Sequence, residues 1–193
     1  MMKKIQTYKL LSLTLLLLSS NLVNATISLG FGTAVQNGSS IDMVVTISGL
    51  GNGVTPSLAA YDLDINFDSN HLAFSSATFG DAILGNQLDF VDYGFHFSEA
   101  SLSETGVLNI YEISDDDIDD LNDFQADDFT LLTLTFNILK SDVSQLSLSI
   151  NDLGDTNGDL LSATLNTGHV STVPVPAAFW LMVSGLAVLY RKR

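Results

Sequence analysis

Residues 61–68 read Tyr-Asp-Leu-Asp-Ile-Asn-Phe-Asp, and this strict alternation of apolar and polar side chains decides the fold class. Successive side chains of a β-strand point to opposite faces, so the pattern predicts a strand with one buried and one water-facing side. A register slip of one residue would bury the carboxylates. We therefore expect the pairing of this strand to be tightly fixed.

The same period of two recurs along the middle of the chain, most clearly at 41–47, 132–138 and 146–150. Shorter runs bring the total to about nine strands; they lie at 27–31, 71–79, 88–97, 107–111 and 160–165. Clusters of Gly, Asn, Asp and Ser separate them, and sustained helical periodicity is absent. Many short strands with one apolar face predict an all-β domain, a β-sandwich whose two inner faces form the core.

The first 25 residues have the build of a secretory signal peptide. Lysines supply a positive start, residues 10–18 are apolar, and small residues end at Ala25. We predict cleavage there, with Thr26 as the first residue of the mature chain. The alternative is a permanent anchor, but the apolar stretch is well short of the roughly 20 residues that a bilayer span needs.

The last residues form a second apolar segment. Residues 177–190 are apolar or small throughout, and three basic residues follow, which would hold the end on the cytoplasmic side. Fourteen helical residues reach about 21 Å, which is marginal for a lasting membrane span. Pro174 and Pro176 stop the helix from running back into the preceding stretch. The segment 173–193 therefore reads as a detachable transmembrane module.

This segment resembles the PEP-CTERM sorting tails of exported proteins in Gram-negative bacteria that make extracellular polymer. The proline pair, the W-L-x-x-S-G-L core beginning at Trp180 and the basic end carry the resemblance, although Val175 stands where the family name has glutamate. The resemblance implies an exosortase as partner, processing near Pro174, Val175 and Pro176, and transient anchoring in the inner membrane. The final location would be the cell surface or extracellular matrix. A GPI signal is the rival, but it does not usually need a basic terminus.

Removing both ends leaves residues 26–172, enough for one domain with its own core. The chain has no cysteine, which excludes disulfides, thiolate zinc sites and a cysteine nucleophile. Lys140 is the only Lys or Arg in this region against 22 acidic residues, a formal charge of −21. Such a surface repels nucleic acid and anionic membranes. It indicates either a solubilising surface or a specific cation-binding role.

Several stretches resemble the cohesin domain, a nine-stranded jelly-roll sandwich related to carbohydrate-binding modules. They are Ala60 to Asp68, Leu72-Ala73-Phe74, Phe79-Gly80-Asp81, the late strand 131–136 and the final turn 152–160. The resemblance implies this fold and a protein partner such as the dockerins, which cohesins hold through one sheet face. The binding positions of the family form no motif in this sequence, so the ligand-binding residues stay unassigned.

Residues 112–128 hold nine carboxylates and are the least strand-like stretch. Ser114 is placed to cap a short helix whose apolar stripe would be Ile118, Leu121 and Phe124. Calcium suits the composition because it takes six to eight oxygen ligands in irregular loops. The alternative is a solvated acidic loop. The candidate metal ligands are Asp115, Asp116, Asp117, Asp119, Asp120 and Asp123. By contrast, 155–159 lacks the EF-hand spacing and predicts a simple turn.

Catalysis finds little support, because three widely spaced histidines accompany no known catalytic motif, although a carboxylate pair for glycoside hydrolysis stays open. We therefore expect no enzyme but an exported adhesion or assembly module. The alternative is a carbohydrate-binding module for exopolysaccharide. That function would require exposed aromatic rings, and the candidates are Tyr93, Phe95, Phe97 and Tyr111, most of which we expect in the core.

Overall fold

The computed structural model of the chain describes residues 26–91, 94–141 and 143–171. These residues form eleven strands and one helix: β1 Ile27–Phe31, β2 Val35–Asn37, β3 Ser40–Ser48, β4 Leu58–Asn66, β5 Leu72–Phe79, β6 Phe97–Glu104, β7 Val107–Ile113, α1 Ile118–Phe124, β8 Phe129–Ile138, β9 Val143–Asp155, β10 Ala163–Asn166 and β11 Gly168–Ser171. The predicted signal peptide, the C-terminal tail and Tyr93 lie outside the described residues. No helix of the described segments is long and apolar enough to cross a membrane.

The strands form two sheets. Sheet one has the order β10-β1-β3-β8-β5, with β2 paired to β3, and sheet two has the order β11-β9-β4-β7-β6. The pairing of β1 with β10 is parallel, and the other strand pairs are antiparallel. The predicted all-β sandwich is confirmed, with eleven strands in place of about nine.

The core lies between the inner faces of the two sheets. Tyr61, Leu63 and Ile65 of β4 are at most 1% exposed, as the alternation at 61–68 predicts. The ring of Phe67 packs against the ring of Phe136 of β8 at a centroid distance of 5.1 Å. Burying one side chain of this kind stabilises the folded state by about 1.5–3 kcal/mol, so the alternating strands supply most of the stability.

The predicted strand at 88–97 is wrong. Residues 88–91 and 94–96 form a loop, and the strand starts only at Phe97. Carboxylates from a distant segment take the backbone donors of this loop: Phe90 donates to Asp116 Oδ2 at 2.6 Å and Phe95 donates to Asp115 Oδ2 at 3.0 Å. Because those N–H groups bond to side chains, they pair with no strand. The alternation in this stretch reflects packing of a loop.

Two further boundaries differ from the sequence prediction. Of the predicted strand 160–165, only Ala163–Asn166 is a strand, while Leu160 makes an isolated bridge to Gly154. The helix α1 is present, but Asp117 is its N-cap residue, and Ser114 Oγ instead accepts a bond from the N–H of Asp116. A seven-residue helix packs few side chains.

The apolar stripe predicted for α1 is correct only in part. Leu121 is buried, whereas Ile118 is 51% and Phe124 is 66% exposed. The ring of Phe124 packs edge-on against Phe90 of the loop at 6.4 Å. The helix therefore contacts the 86–96 loop with one edge and solvent with the rest.

Two buried glutamines attach the long loops to sheet two. Gln125, directly after α1, donates from Nε2 to the carbonyls of Leu58 and Gln87, both at 2.9 Å, and accepts from the N–H of Leu58 at 2.6 Å. Gln87 in turn accepts from the N–H of Ala126 at 3.0 Å. A buried amide with its donors and acceptor satisfied fixes its surroundings, because each lost bond would leave a desolvated partner. The loops before β6 and around α1 are thus held at one end of the sandwich.

Candidate functional site

The outer face of sheet two carries a mixture of acidic and apolar side chains. Residues that alternate with the core of β4, β6, β7 and β9 point away from the sandwich, so the sequence period of two places them together. We call this surface the sheet-two face; its members are Asp62, Asp64, Phe97, Glu99, Asn109, Tyr111, Ile113 and Asp152.

The polar part of the sheet-two face is ordered by neutral donors. Asn109 donates from Nδ2 to Asp62 Oδ1 at 2.7 Å and to Asp64 Oδ1 at 3.0 Å. Tyr111 donates its hydroxyl proton to Glu99 Oε2 at 2.8 Å, and this bond raises the pKa of the phenol. The carboxylates are therefore held in place without any compensating positive charge.

A β-bulge in β9 adds to this arrangement. Asp62 pairs with Asp152, while the next residue of β4, Leu63, pairs with Ile150, so Asn151 is an extra residue in the ladder. Asn151 donates from Nδ2 to Asp62 Oδ1 at 3.1 Å. Bulges commonly re-aim side chains at a functional surface. Here the bulge places an amide and a carboxylate beside Asp62.

The apolar part of the sheet-two face begins beside the carboxylates. The rings of Phe97 and Tyr111 stack with a centroid distance of 5.8 Å and an interplanar angle of 12°. Ile113, the register partner of Phe97, is 52% exposed. A hollow of about 180 Å³ lies between the two parts; it is lined by Ala60, Tyr61, Asp62, Tyr111, Ile113 and Asp152.

Two of the aromatic residues expected in the core lie at the surface. Phe95 is 83% and Phe97 is 56% exposed. The expectation is wrong because it treats residues 88–97 as one buried strand, whereas Phe95 belongs to a loop and Phe97 points outward from β6. Exposed large aromatic rings are unusual enough to indicate an interaction surface when they adjoin other apolar groups.

The outer face of sheet one is different in character. Its central strands β3 and β8 present mainly hydroxyl side chains there, with Thr46 opposite Thr130 and Asp42 opposite Thr135. Asp42 accepts from Thr135 Oγ1 at 2.7 Å. This face offers few large apolar groups, so it makes a poor centre for a protein interface.

A second feature is a group of three carboxylates where the 86–96 loop meets the segment before α1. One oxygen each of Asp89, Asp115 and Asp116 lie within 4.8 Å of one another, and we call this group the carboxylate cluster. Asp116 accepts backbone N–H bonds from Phe90 and Val91. Asp89 Oδ1 and Asp115 Oδ1 are buried and have no hydrogen-bond partner in the described part of the chain. Such oxygens are costly unless a donor or a cation reaches them.

A buried carboxylate stands next to the cluster. Glu112 of β7 is 0% exposed and accepts from Tyr61 Oη and Asn86 Nδ2, both at 2.6 Å. His96 Nε2 lies 2.7 Å from Glu112 Oε1, and His96 Nδ1 lies 3.7 Å from Asp89 Oδ2. Burial, followed by the neighbouring Glu112 charge, raises the pKa of Tyr61. Because no substrate can reach Glu112, this network positions the loop and performs no acid–base chemistry on a ligand.

The six sequence-predicted metal ligands lie in different environments. Asp115 and Asp116 belong to the carboxylate cluster. Asp117, Asp119 and Asp120 line an open hollow of about 620 Å³ at the start of α1, and Asp123 is exposed near its end. Sequence reasoning missed Asp89, because it stands in the stretch interpreted as a strand. Its signal was an acidic residue between apolar neighbours, which an outward strand position imitates.

The loop at 155–159 is a turn, as predicted. Asp155 Oδ1 accepts from the N–H groups of Asn157 and Asp159, both at 2.8 Å, and Gly158 has φ of +81°. The carboxylate is used within its own turn, as is typical of Asx turns.

Comparison with known proteins relates the fold to one family. Residues 25–172 match the family model described as Cohesin domain. The sixth cohesin of scaffoldin B from Acetivibrio cellulolyticus, solved in complex with a Cel5 dockerin mutant, superposes with a TM-score of 0.59 at 19% identity, over 77% of this chain and 99% of that chain. The OlpA cohesin of a type I cohesin–dockerin complex from Clostridium thermocellum gives 0.60 at 14% identity, over 77% and 99%.

A third similar structure is the non-cellulosomal cohesin from the archaeon Archaeoglobus fulgidus. It gives a TM-score of 0.57 at 17% identity, over 80% of this chain and 96% of that chain. No match was found among curated proteins. At these identities the solved structures establish the fold alone.

Proposed function

The chain belongs to the Cohesin domain family, and from this premise we propose that it is a non-enzymatic assembly module that binds a protein partner through the sheet-two face. Cohesin domains are non-catalytic protein-interaction modules. Two of the similar solved structures are complexes with dockerins. Those partners are properties of the related proteins, and a dockerin-like module is the first candidate here.

One observation carries the proposal: the exposed, stacked pair Phe97 and Tyr111 lies beside ordered carboxylates and a hollow on the same sheet face. Protein interfaces combine an apolar centre rich in aromatic residues with a polar rim. Carboxylates already fixed by Asn109 lose little conformational freedom on binding, which favours affinity. The sheet-two face has each of these properties.

Site-specific cross-linking in the native host tests this surface. A photo-crosslinking amino acid replaces Ser101, an exposed residue that points outward on β6. The matched control replaces Asn137, which is exposed and points outward on β8 of sheet one. We expect a discrete cross-linked protein from position 101 and none from position 137. Cross-linking from position 137 alone, or from neither position, would contradict the proposal.

Exopolysaccharide is the second candidate ligand, because the exposed rings of Phe97 and Tyr111 could also stack on sugar. A glycan array probed with the purified domain separates the two. Binding to a polysaccharide that disappears in Phe97→Ala, without a cross-linked protein at position 101, would favour the carbohydrate-binding function.

Export and sorting complete the proposal. The support is the sequence of the two ends: signal-like residues 1–25 and the segment 173–193, which resembles a sorting tail for an exosortase. We propose passage through the inner membrane, a transient anchor there and delivery to the cell surface or extracellular matrix. Mass spectrometry of the mature protein from its host tests this. The full-length chain with both ends intact in the cytoplasm would contradict it.

We also propose that the carboxylate cluster binds a divalent cation such as calcium. The support is the pair of buried, unpartnered oxygens on Asp89 and Asp115, which face a third carboxylate. An ion would convert repulsion among three negative charges into attraction and would tie the 86–96 loop to the segment before α1. It would therefore stabilise the loops at one end of sheet two.

Thermal melting in calcium and in chelator tests the cation site. At a calcium concentration of about one hundred times Kd, the folded state gains about 2.7 kcal/mol, so the melting temperature should rise. Asp89→Asn should abolish this rise, and the matched control Asp119→Asn, an exposed residue of α1, should keep it. An unchanged midpoint in calcium, or loss of the rise in Asp119→Asn alone, would contradict this site.

A further inference from the structure

The carboxylates of the sheet-two face come from three different strands. Asp62 and Asp64 belong to β4, Glu99 to β6 and Asp152 to β9. Asp62 and Asp152 are direct register partners, so two like charges stand opposite each other in one ladder. Like charges in this position destabilise a sheet. A surface that keeps such a pair has a use for negative charge.

Neutral groups satisfy these carboxylates only in part. Asp62 Oδ1 accepts from Asn109 and Asn151, and Asp64 Oδ1 accepts from Asn109. The Oδ2 atoms of Asp62 and Asp64 accept no hydrogen bond from the residues that the structure describes. Amide donors fix the orientation of a carboxylate but leave its charge uncompensated. The remaining lone pairs point toward whatever binds the sheet-two face.

The chain itself supplies no cation to this surface within the described segments. Lys140 is their only Lys or Arg, and it follows the end of β8 in sheet one. Charge complementarity must therefore come from outside the domain.

We propose that the partner surface that docks on the sheet-two face is basic, with Lys or Arg side chains that contact Asp62, Asp152 and Glu99 around an apolar patch that covers Phe97 and Ile113. This inference rests on the proposed function and specifies its partner. An Arg guanidinium suits the position beside Tyr111, because it pairs with a carboxylate and stacks on an aromatic ring at once. Opposite charges across an interface mainly accelerate association and exclude wrong partners.

The test uses the protein cross-linked at position 101. Its attached peptide is identified by mass spectrometry, and binding of the purified partner is followed by stopped flow at several salt concentrations. The variant Asp62→Asn/Asp152→Asn removes two charges from the sheet-two face. The control Asp117→Asn/Asp119→Asn removes two exposed charges near α1. Melting curves confirm that both variants are folded.

We expect Lys or Arg in the cross-linked segment and an association rate that falls with salt. In Asp62→Asn/Asp152→Asn the rate should fall at least about tenfold at low salt, with little change in the control. A partner without basic residues, or equal rates in both variants, would overturn the basic-partner inference and leave the docking face intact. Absence of any partner at position 101 would overturn both.

Discussion

At the scale of single residues, Glu112 is the group on which the loop geometry depends most. It accepts from Tyr61, Asn86 and His96 within 2.7 Å and is fully buried. Tyr61 lies in the core of β4, and the other two residues lie in the 80–96 loop. One carboxylate therefore joins sheet two to the loop that carries Asp89. Hydrogen bonds to a charged group contribute about 1.5–3 kcal/mol each, more than neutral ones.

Glu112→Gln should lower the free energy of unfolding by about 1–3 kcal/mol. The amide keeps the shape but presents an N–H₂ group to at least one donor and leaves it unsatisfied. Urea denaturation measures the change. Glu99→Gln, at the exposed surface, should stay within about 0.5 kcal/mol of the wild type. Equal stability of Glu112→Gln and the wild type would show that the network is not structural.

Asp81 shows how a second carboxylate fixes a turn. Its Oδ1 accepts from the N–H groups of Ile83 and Leu84, and its Oδ2 accepts from the N–H of Thr130. The Ile83 bond is the largest of the effects that lower the pKa of Asp81, which falls to about 2. The turn after β5 is thereby attached to β8.

The lowered pKa of Asp81 predicts a pH dependence. A group whose pKa is depressed in the folded state stabilises it fully above the unfolded pKa of about 3.9, and this stabilisation is lost as the pH falls toward about 2. Asp81→Asn should therefore be less stable than the wild type at neutral pH, and the difference should shrink below about pH 4. Chemical denaturation at several pH values measures it. A difference that grows on acidification would contradict the assignment.

At the scale of elements, β4 is the centre of sheet two and combines two roles. Its inward residues Tyr61, Leu63 and Ile65 build the core, and its outward residues Asp62 and Asp64 build the sheet-two face. The strict period of two separates the roles, so either set can change without altering the other. The cost of the outward set is the opposed pair of Asp62 with Asp152.

Asp152→Asn should stabilise the free domain by about 0.2–1 kcal/mol at low salt, because it removes a like-charge pair. The gain should shrink as salt screens the pair. Asp127→Asn, which removes an exposed charge after α1, should change the stability less. Thermal melting of both variants at two salt concentrations measures this. A loss of stability in Asp152→Asn would show that Asp152 has a structural partner.

At the scale of the whole molecule, the charge distribution dominates. One lysine against 22 acidic residues gives residues 26–172 a formal charge of −21. Self-repulsion of this size lowers the stability of a compact state but keeps it soluble and monomeric. The sandwich tolerates the charge because its core is formed by two apolar inner faces, with the carboxylates outside or bonded to backbone donors.

The melting temperature should rise as NaCl increases from about 10 mM to about 150 mM, because the Debye length falls to about 8 Å and the surface carboxylates repel each other less. Differential scanning calorimetry in chelator measures the effect without a contribution from divalent ions. A flat or falling midpoint would indicate that the carboxylates are already neutralised within the fold.

The sequence by itself determined the two-layered all-β fold and the identity of the core, since period-two patterns such as 61–67 leave only one face that can be buried. It also predicted the short helix and the turn at 155–159. It misjudged 88–97, whose alternation is the same in a loop and in a strand.

Only the tertiary structure decided where that loop goes, because its backbone donors bond to Asp115 and Asp116, about twenty residues later in the chain. It alone brought Asp89 to Asp115 and Asp116, exposed Phe97 beside Tyr111 and set Asp62 against Asp152. Local patterns report which way a side chain faces. Which distant side chain it meets is decided by strand order and register, and no local pattern contains them.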